Sequence, residues 1–221
     1  FGSMPVAQAI LTLAVPTVVS QIITIIYNMA DTFFIGQLGD PKQVAAATLA
    51  MPLFMFMTAL SNLFGVGGAS LISRFLGRGE REKASRCGAF CIWTAAAVSV
   101  LYGLMVLAGR PVLLPVLGAN EETCDMASSY LFWTIGLGAL PTVMNPVLAH
   151  LIRSEGYSRQ ASLGVAFGGI LNMVLDPLFI YGLHLQITGA AVATLISNAT
   201  AMIYFLAFIW KMRGVSVLTL S

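Results

Sequence analysis

The chain has 221 residues, of which 58% are hydrophobic and only 9% charged, with a mean hydropathy of +0.88. Soluble domains carry about 25% charged residues, so this composition excludes a soluble globular fold and makes the lipid bilayer the expected partner. The net charge of +2 says little by itself, because the placement of the charges matters more than their sum. Cys87, Cys91 and Cys124 lack metal-ligand spacing and are interpreted as small apolar residues.

Six long apolar stretches follow one another along the chain, separated by short segments rich in Gly, Pro and charged residues. Residues 1–4 are expected to be a cloning remnant. A helix needs about 20 mostly apolar residues to cross the hydrocarbon core, and each stretch is long enough. The predicted helices are about 6–35, 44–73, 84–109, 123–152, 160–182 and 187–210. The predicted fold class is therefore an all-α integral membrane protein with six transmembrane helices, located in the plasma membrane.

Basic residues are concentrated in alternate loops. Nine lie in the segments that share a side with the N-terminus, and two lie on the other side. The nine are Arg74, Arg78, Arg81, Lys83, Arg86, Arg153, Arg159, Lys211 and Arg213, against Lys42 and Arg110. Because cytoplasmic loops carry the excess of Lys and Arg, both termini are predicted to be cytoplasmic. The cluster from Arg74 to Arg86 also fits a nucleic-acid or lipid head-group patch, but topology explains it, and no nucleic-acid partner is expected.

Two aspartates, Asp31 and Asp176, lie inside apolar stretches. A charge at the bilayer centre costs at least about 2.5–3.5 kcal/mol, so such residues usually face a cavity and have a function. The alternatives are an aspartate near enough to the outer surface to stay hydrated, or one that is paired only for packing. Both are followed by an Ala-rich segment and a threonine, Thr48 and Thr194, at offsets of 17 and 18 residues. This internal echo is typical of transporters built from repeats, although the matched segments are short.

Polar residues also recur at helical spacing on the first, fifth and sixth helices. The first helix has Thr17, Gln21, Thr24, Asn28 and Asp31, with Ser20 and Tyr27 beside them; the fifth has Gly168, Asn172 and Asp176; the sixth has Thr194, Ser197, Asn198 and Tyr204. Three such stripes indicate a water-accessible interior lined by these helices. Hydrogen bonding between packed helices is the competing interpretation. Pro16, upstream of Asp31 on the first helix, is a candidate bending point, with static packing as its alternative.

Several of these segments resemble the N-terminal lobe of a prokaryotic MATE (multidrug and toxic compound extrusion) transporter, over essentially all of residues 5–213. The segments are 14–16 (AVP), 28–36 (NMADTFFIG), 65–69 (GVGGA), 73–79 (SRFLGRG), 153–156 (RSEG) and 172–177 (NMVLDP). The resemblance implies an antiporter that expels organic cations or other amphipathic compounds against an inward flow of protons or sodium ions. It also implies that residues 5–213 form one lobe and that 214–221 begin the linker to another.

The resemblance assigns roles to particular residues. It implies a proton-coupling or sodium site formed by Asp31, Asn172, Asp176 and Thr194, with Tyr27 nearby and Pro16 as the bending point. Gln21, Asn28, Ser197 and Asn198 are candidates for lining the cavity. Apart from the coupling ion, no cofactor or metal is expected. The carboxyl groups suit proton coupling, whereas the oxygens of Asn172 and Thr194 suit sodium equally well, so the sequence leaves the choice open.

The chain has one six-helix lobe where the family has two. It is therefore expected to be a fragment or a half-transporter that pairs with a second lobe, either in a longer chain or as a homodimer. A flippase for a lipid-linked precursor is an alternative within the same superfamily, although such a protein favours a basic cavity. A non-transporting assembly unit is a third possibility. An enzyme is not expected, because no nucleophile–base set, metal cluster or phosphate loop is evident.

Overall fold

The computed structural model describes residues 6–213 and 215–218. The expected cloning remnant at 1–4 lies outside the described residues, and of the predicted linker only 215–218 is described. In these ranges the chain is almost entirely helical and contains no β-strand.

Eight α-helices and two π-helical turns make up the described chain. The helices are α1 (Val6–Gly36), α2 (Pro41–Leu49), α3 (Met51–Gly77), α4 (Arg81–Val116), α5 (Glu121–Leu131), α6 (Ala139–Ser154), α7 (Ser158–Pro177) and α8 (Gln186–Lys211). A π-helical turn at Phe132–Leu137 extends α5, and another at Leu178–Gly182 extends α7.

These elements form six membrane spans, which confirms the predicted fold class. Spans one, three and six are α1, α4 and α8, whereas span two joins α2 to α3 and span five joins α7 to its π-helical turn. Span four is bent by 46° between Glu121–Leu137 and Ala139–Ser154. The cytoplasmic location of both termini stays a prediction.

The loops begin and end helices through caps that are visible in the sequence. Asp40 accepts a hydrogen bond from the Lys42 amide at 3.0 Å, with Pro41 at the first position of α2. Asn120 and Thr123 form a reciprocal capping box at the start of α5. Gly118 and Gly156 adopt φ values of +96° and +92°, a region that favours glycine, so the chain turns sharply at both places.

Helix α6 is at the centre of the bundle and packs against α3, α4, α7 and α8. Helix α1 lies at the edge and packs mainly along α7. The outer side of α1 exposes apolar side chains such as Val18, Ile22 and Ile25. In a membrane this side faces lipid or a second lobe.

The segment that follows α8 folds back against the end of the bundle. Glu155 accepts hydrogen bonds from the Ser216 hydroxyl at 2.7 Å and from the Leu218 amide at 2.7 Å. Arg81 donates to the carbonyl of Val215 at 3.1 Å, and the Leu218 side chain is buried beside Gly88. Residues 215–218 are therefore packed as part of the lobe.

Candidate ion-coupling site

Two polar residues of α7 form the centre of the site. Asn172 and Asp176 are one helical turn apart, so they lie on the same face, and both side chains are buried. The Asn172 amide donates to Asp176 Oδ1 at 3.1 Å and to Thr194 Oγ1 of α8 at 3.4 Å. The second carboxyl oxygen of Asp176 is buried and has no hydrogen-bond partner in the described chain.

Glycines on α7 let neighbouring helices approach this centre closely. A Cβ atom on Gly169 would lie 2.7 Å from Tyr27 Cδ1 of α1, and one on Gly168 would lie 3.1 Å from Ala201 Cβ of α8. Carbon atoms normally pack about 3.5–4.0 Å apart, so only glycine fits at Gly169 without movement of its neighbours. Helix α7 is thus held between α1 and α8.

Asp31 of α1 is the second carboxyl group of the site. Its side chain is partly exposed in this lobe, but Oδ1 is buried and has no hydrogen-bond partner in the described chain. Asp31 and Asp176 lie on α1 and α7, two helices that pack along each other.

A small cavity of about 30 Å³ lies between α1, α6, α7 and α8. Its lining comprises Tyr27, Asn145, Val165, Gly168, Gly169, Asn172, Thr194, Ser197 and Asn198. Since a cavity of this kind needs about 10–15 Å³ and two or more polar partners for each water molecule, this one suits one or two waters or a small cation.

The structure brings together most of the residues predicted for the site. Tyr27, Asn172, Thr194, Ser197 and Asn198 line the cavity, and Asp176 is bonded to Asn172.

Three other predicted residues lie elsewhere. Gln21 and Asn28 are exposed on α1 and do not line the cavity in this lobe. Pro16 lies inside α1, on the N-terminal side of the site. The roles of all these residues stay predictions.

One site residue was missed by the sequence prediction. Asn145 of α6 lines the cavity and donates to Asn198 Oδ1 at 2.8 Å, and its own amide oxygen is buried without a partner in the described chain. Asn198 in turn donates to Thr142 Oγ1 at 3.3 Å, which continues the polar network into α6. In the sequence, the signal for Asn145 was an amide within a mostly apolar span, with the hydroxyl of Thr142 three residues before it.

The chemistry of the site is that of a cation acceptor. Asp31 Oδ1, Asp176 Oδ2 and Asn145 Oδ1 are oxygens without a donor, and among the described residues the ion pairs involve neither aspartate. Buried carboxylates without a basic partner are costly, so a proton or a bound cation is needed to neutralise them. Oxygen ligands are the kind that hard cations prefer.

Six spans with a small polar cavity and two intramembrane carboxyl groups define the chain as part of a membrane transporter. The sequence agrees: the MatE family model matches residues 16–178. The chain belongs to the MatE family.

Relatives and solved structures match nearly the whole chain. The multidrug export protein MepA of Staphylococcus saprophyticus is 30% identical over 221 residues, which is 100% of this chain and 49% of MepA. The structure of a MATE protein in the straight conformation has a TM-score of 0.90 at 30% identity and covers 96% of this chain and 47% of its own. The bent conformation gives a TM-score of 0.87 at 29% identity and covers 97% and 47%.

The chain spans about half the length of these relatives, as expected for one lobe. The relatives are transporters and not enzymes, so the prediction that the chain is not an enzyme is confirmed. The chain is a multi-pass protein of the plasma membrane, as predicted.

Proposed function

We propose that the complete protein exports organic cations or other amphipathic drugs in exchange for protons or sodium ions, and that this chain is one of its two lobes. The observation that carries the proposal is the pair of intramembrane carboxyl groups, Asp31 and Asp176, each with a buried oxygen that lacks a partner in the described chain. A site of this kind is suited to bind and release a cation. The multidrug export activity named for MepA supports the export of drugs.

Coupling follows from the charge of the site. When both carboxyl groups are ionised, they repel each other and attract a cation. A proton or sodium ion that binds there removes this repulsion, and the Asn172 amide keeps Asp176 oriented between the two states. The affinity of an organic cation for the lobe falls when the coupling ion is bound, because the same negative charge attracts both.

The charge of Asp31 is on α1, so its neutralisation changes the forces on this helix. Helix α1 packs mainly on α7 and contains Pro16, which removes one backbone hydrogen bond and permits bending. The solved MATE structures that this chain resembles include a straight and a bent conformation. We propose that bending of α1 near Pro16 accompanies the exchange of ions.

The second lobe completes the transport path. The exposed side of α1 carries polar residues, Gln21 and Asn28, among its apolar ones. On this account they face the second lobe and contact the substrate, while the small cavity binds the ion. A cavity of about 30 Å³ is too small for a drug, since drug pockets span roughly 300–1,000 Å³.

The test is efflux of a fluorescent organic cation from proteoliposomes that contain the full-length protein, under an imposed proton or sodium gradient. Asp31→Asn and Asp176→Asn should each abolish gradient-driven efflux. Asp125→Asn is the matched control, because Asp125 is an exposed carboxyl group near the start of α5. Efflux that persists in both site variants would overturn the proposal, and the gradient that drives efflux identifies the ion.

A further inference from the structure

One hydrogen bond joins α1 to α6 at the end of the bundle that carries the basic cluster. Arg153, near the end of α6, donates from Nη2 to the hydroxyl oxygen of Ser20 at 3.1 Å. The Ser20 hydroxyl itself donates to the carbonyl of Thr17 at 2.9 Å. Helix α1 packs along α7 and makes little backbone contact with α6. The long arginine side chain therefore spans a gap between two helices that are otherwise not packed together.

The bond lies below the cavity, on the side predicted to be cytoplasmic. Ser20 is seven residues before Tyr27 on α1, and Arg153 is eight residues after Asn145 on α6. At 1.5 Å per residue, the bond is about 10–12 Å from these cavity residues along both helices. Because the two helices run in opposite directions, both steps lead towards the same membrane surface. The bond therefore lies between the cavity and that surface, on the α1–α6 side.

The partners of Arg153 are neutral. Ser20 is buried, and in the described chain Arg153 forms no ion pair with an acidic residue. Its Nε atom is buried without a partner there. A half-buried guanidinium held by one hydroxyl is poorly compensated compared with one in an ion pair. If the helices separate, water can hydrate the guanidinium, so breaking this contact costs little free energy.

We propose that the Arg153–Ser20 hydrogen bond is an inner latch, which holds the N-terminal part of α1 against α6 and closes the cytoplasmic path to the cavity. Arg153 and Ser20 are positioning residues in this account and do not bind the coupling ion. The latch opens when α1 bends near Pro16, which lies one turn from Ser20. Only the role of the latch in transport rests on the proposed function. The latch itself controls access to the cavity.

The test measures access directly in the full-length protein. A thiol reporter, Val165→Cys, is placed on the cavity wall. The background variant has the three native cysteines replaced by alanine, and any cysteine in the second lobe is replaced as well. The rate of labelling by a membrane-impermeant maleimide is measured from each side of oriented vesicles. Ser20→Ala and Arg153→Gln are compared with Thr24→Val, whose lost hydroxyl bonds only within α1, to Ser20 O.

The latch predicts that Ser20→Ala and Arg153→Gln each raise labelling from the cytoplasmic side by about tenfold, as expected for loss of one charge-assisted hydrogen bond. Arg153→Lys keeps a donor and should restore slow labelling in part, and Thr24→Val should have no effect. The double variant should label no faster than Arg153→Gln alone. Unchanged labelling in folded Ser20→Ala protein, or faster labelling only from the outer side, would overturn the latch. If the latch variants are labelled faster but the unmodified full-length protein does not transport drugs, the latch stands and the proposed function is refuted.

Discussion

Gly169 is a point of close approach between α1 and α7 beside the cavity, so Gly169→Ala tests the packing on which the cavity depends. The added Cβ atom would lie 2.7 Å from Tyr27 Cδ1 and 3.4 Å from Ile23 Cγ2. Relief of the first contact requires α1 to move by about 1 Å or the Tyr27 ring to turn. Overpacking of this kind costs about 1–3 kcal/mol.

A matched control separates this steric cost from the intrinsic helix preference of alanine, which is about 1 kcal/mol better than glycine. Gly67 lies within α3 and has nothing within 4 Å of its ideal Cβ position, so Gly67→Ala changes only the preference. The melting temperature of Gly169→Ala in detergent should be on the order of 5 °C below that of Gly67→Ala. Because Tyr27 lines the cavity, ion-driven transport should also fall in Gly169→Ala alone.

A second substitution identifies the contact responsible. Tyr27→Ala removes the ring that the new methyl group meets, so it should cost less stability in the Gly169→Ala background than in the unmodified protein. Equal melting temperatures for Gly169→Ala and Gly67→Ala, or additive effects of Gly169→Ala and Tyr27→Ala, would refute the reasoning.

Three further predictions concern other polar contacts. Gln43→Leu should lower the free energy of unfolding by roughly 1–3 kcal/mol, because the buried Gln43 amide bonds the ends of two spans together. Lys42→Ala should lower it by less than about 1 kcal/mol, because the ion pair of Lys42 is exposed. Equal losses of stability in thermal unfolding would contradict this. Glu155→Ala should accelerate hydrogen exchange of the Leu218 amide, while Glu155→Gln, which keeps an acceptor, should do so less. Asn145→Leu should lower the melting temperature and weaken its increase on addition of the coupling ion, and an unchanged increase would exclude Asn145 from the site.

The six spans were predictable from hydropathy, but their interruptions were not. The break at Ala50 reflects Pro52, which takes one of the first positions of α3, and the 46° bend in span four falls at Gly138. Helix α4 continues past its predicted end near residue 109, because Arg110 bonds to the carbonyls of Leu107 and Ser128 within the protein. The sequence alone does not show that the helix continues past this charged residue.

The site was predictable where a function depends on one helix face, and not where it depends on contacts between helices. Asn172 and Asp176 were evident from their spacing on one stripe. On α1, Tyr27 faces the cavity, while Asn28, about 100° further around the helix, is exposed in this lobe, so its predicted role stays a prediction. Asn145 lines the cavity and bonds to Asn198 of α8, a contact between two helices that the pattern of one helix does not show.

The central claim is that the coupling ion and the substrate compete for the same negative charge. The most direct measurement is the release of protons or sodium ions when an organic cation is added to the full-length protein in weakly buffered detergent solution. The account predicts release of the ion from the unmodified protein and from Asp125→Asn, and no release from Asp31→Asn or Asp176→Asn. Substrate binding without ion release in the unmodified protein, or undiminished release from both site variants, would contradict it.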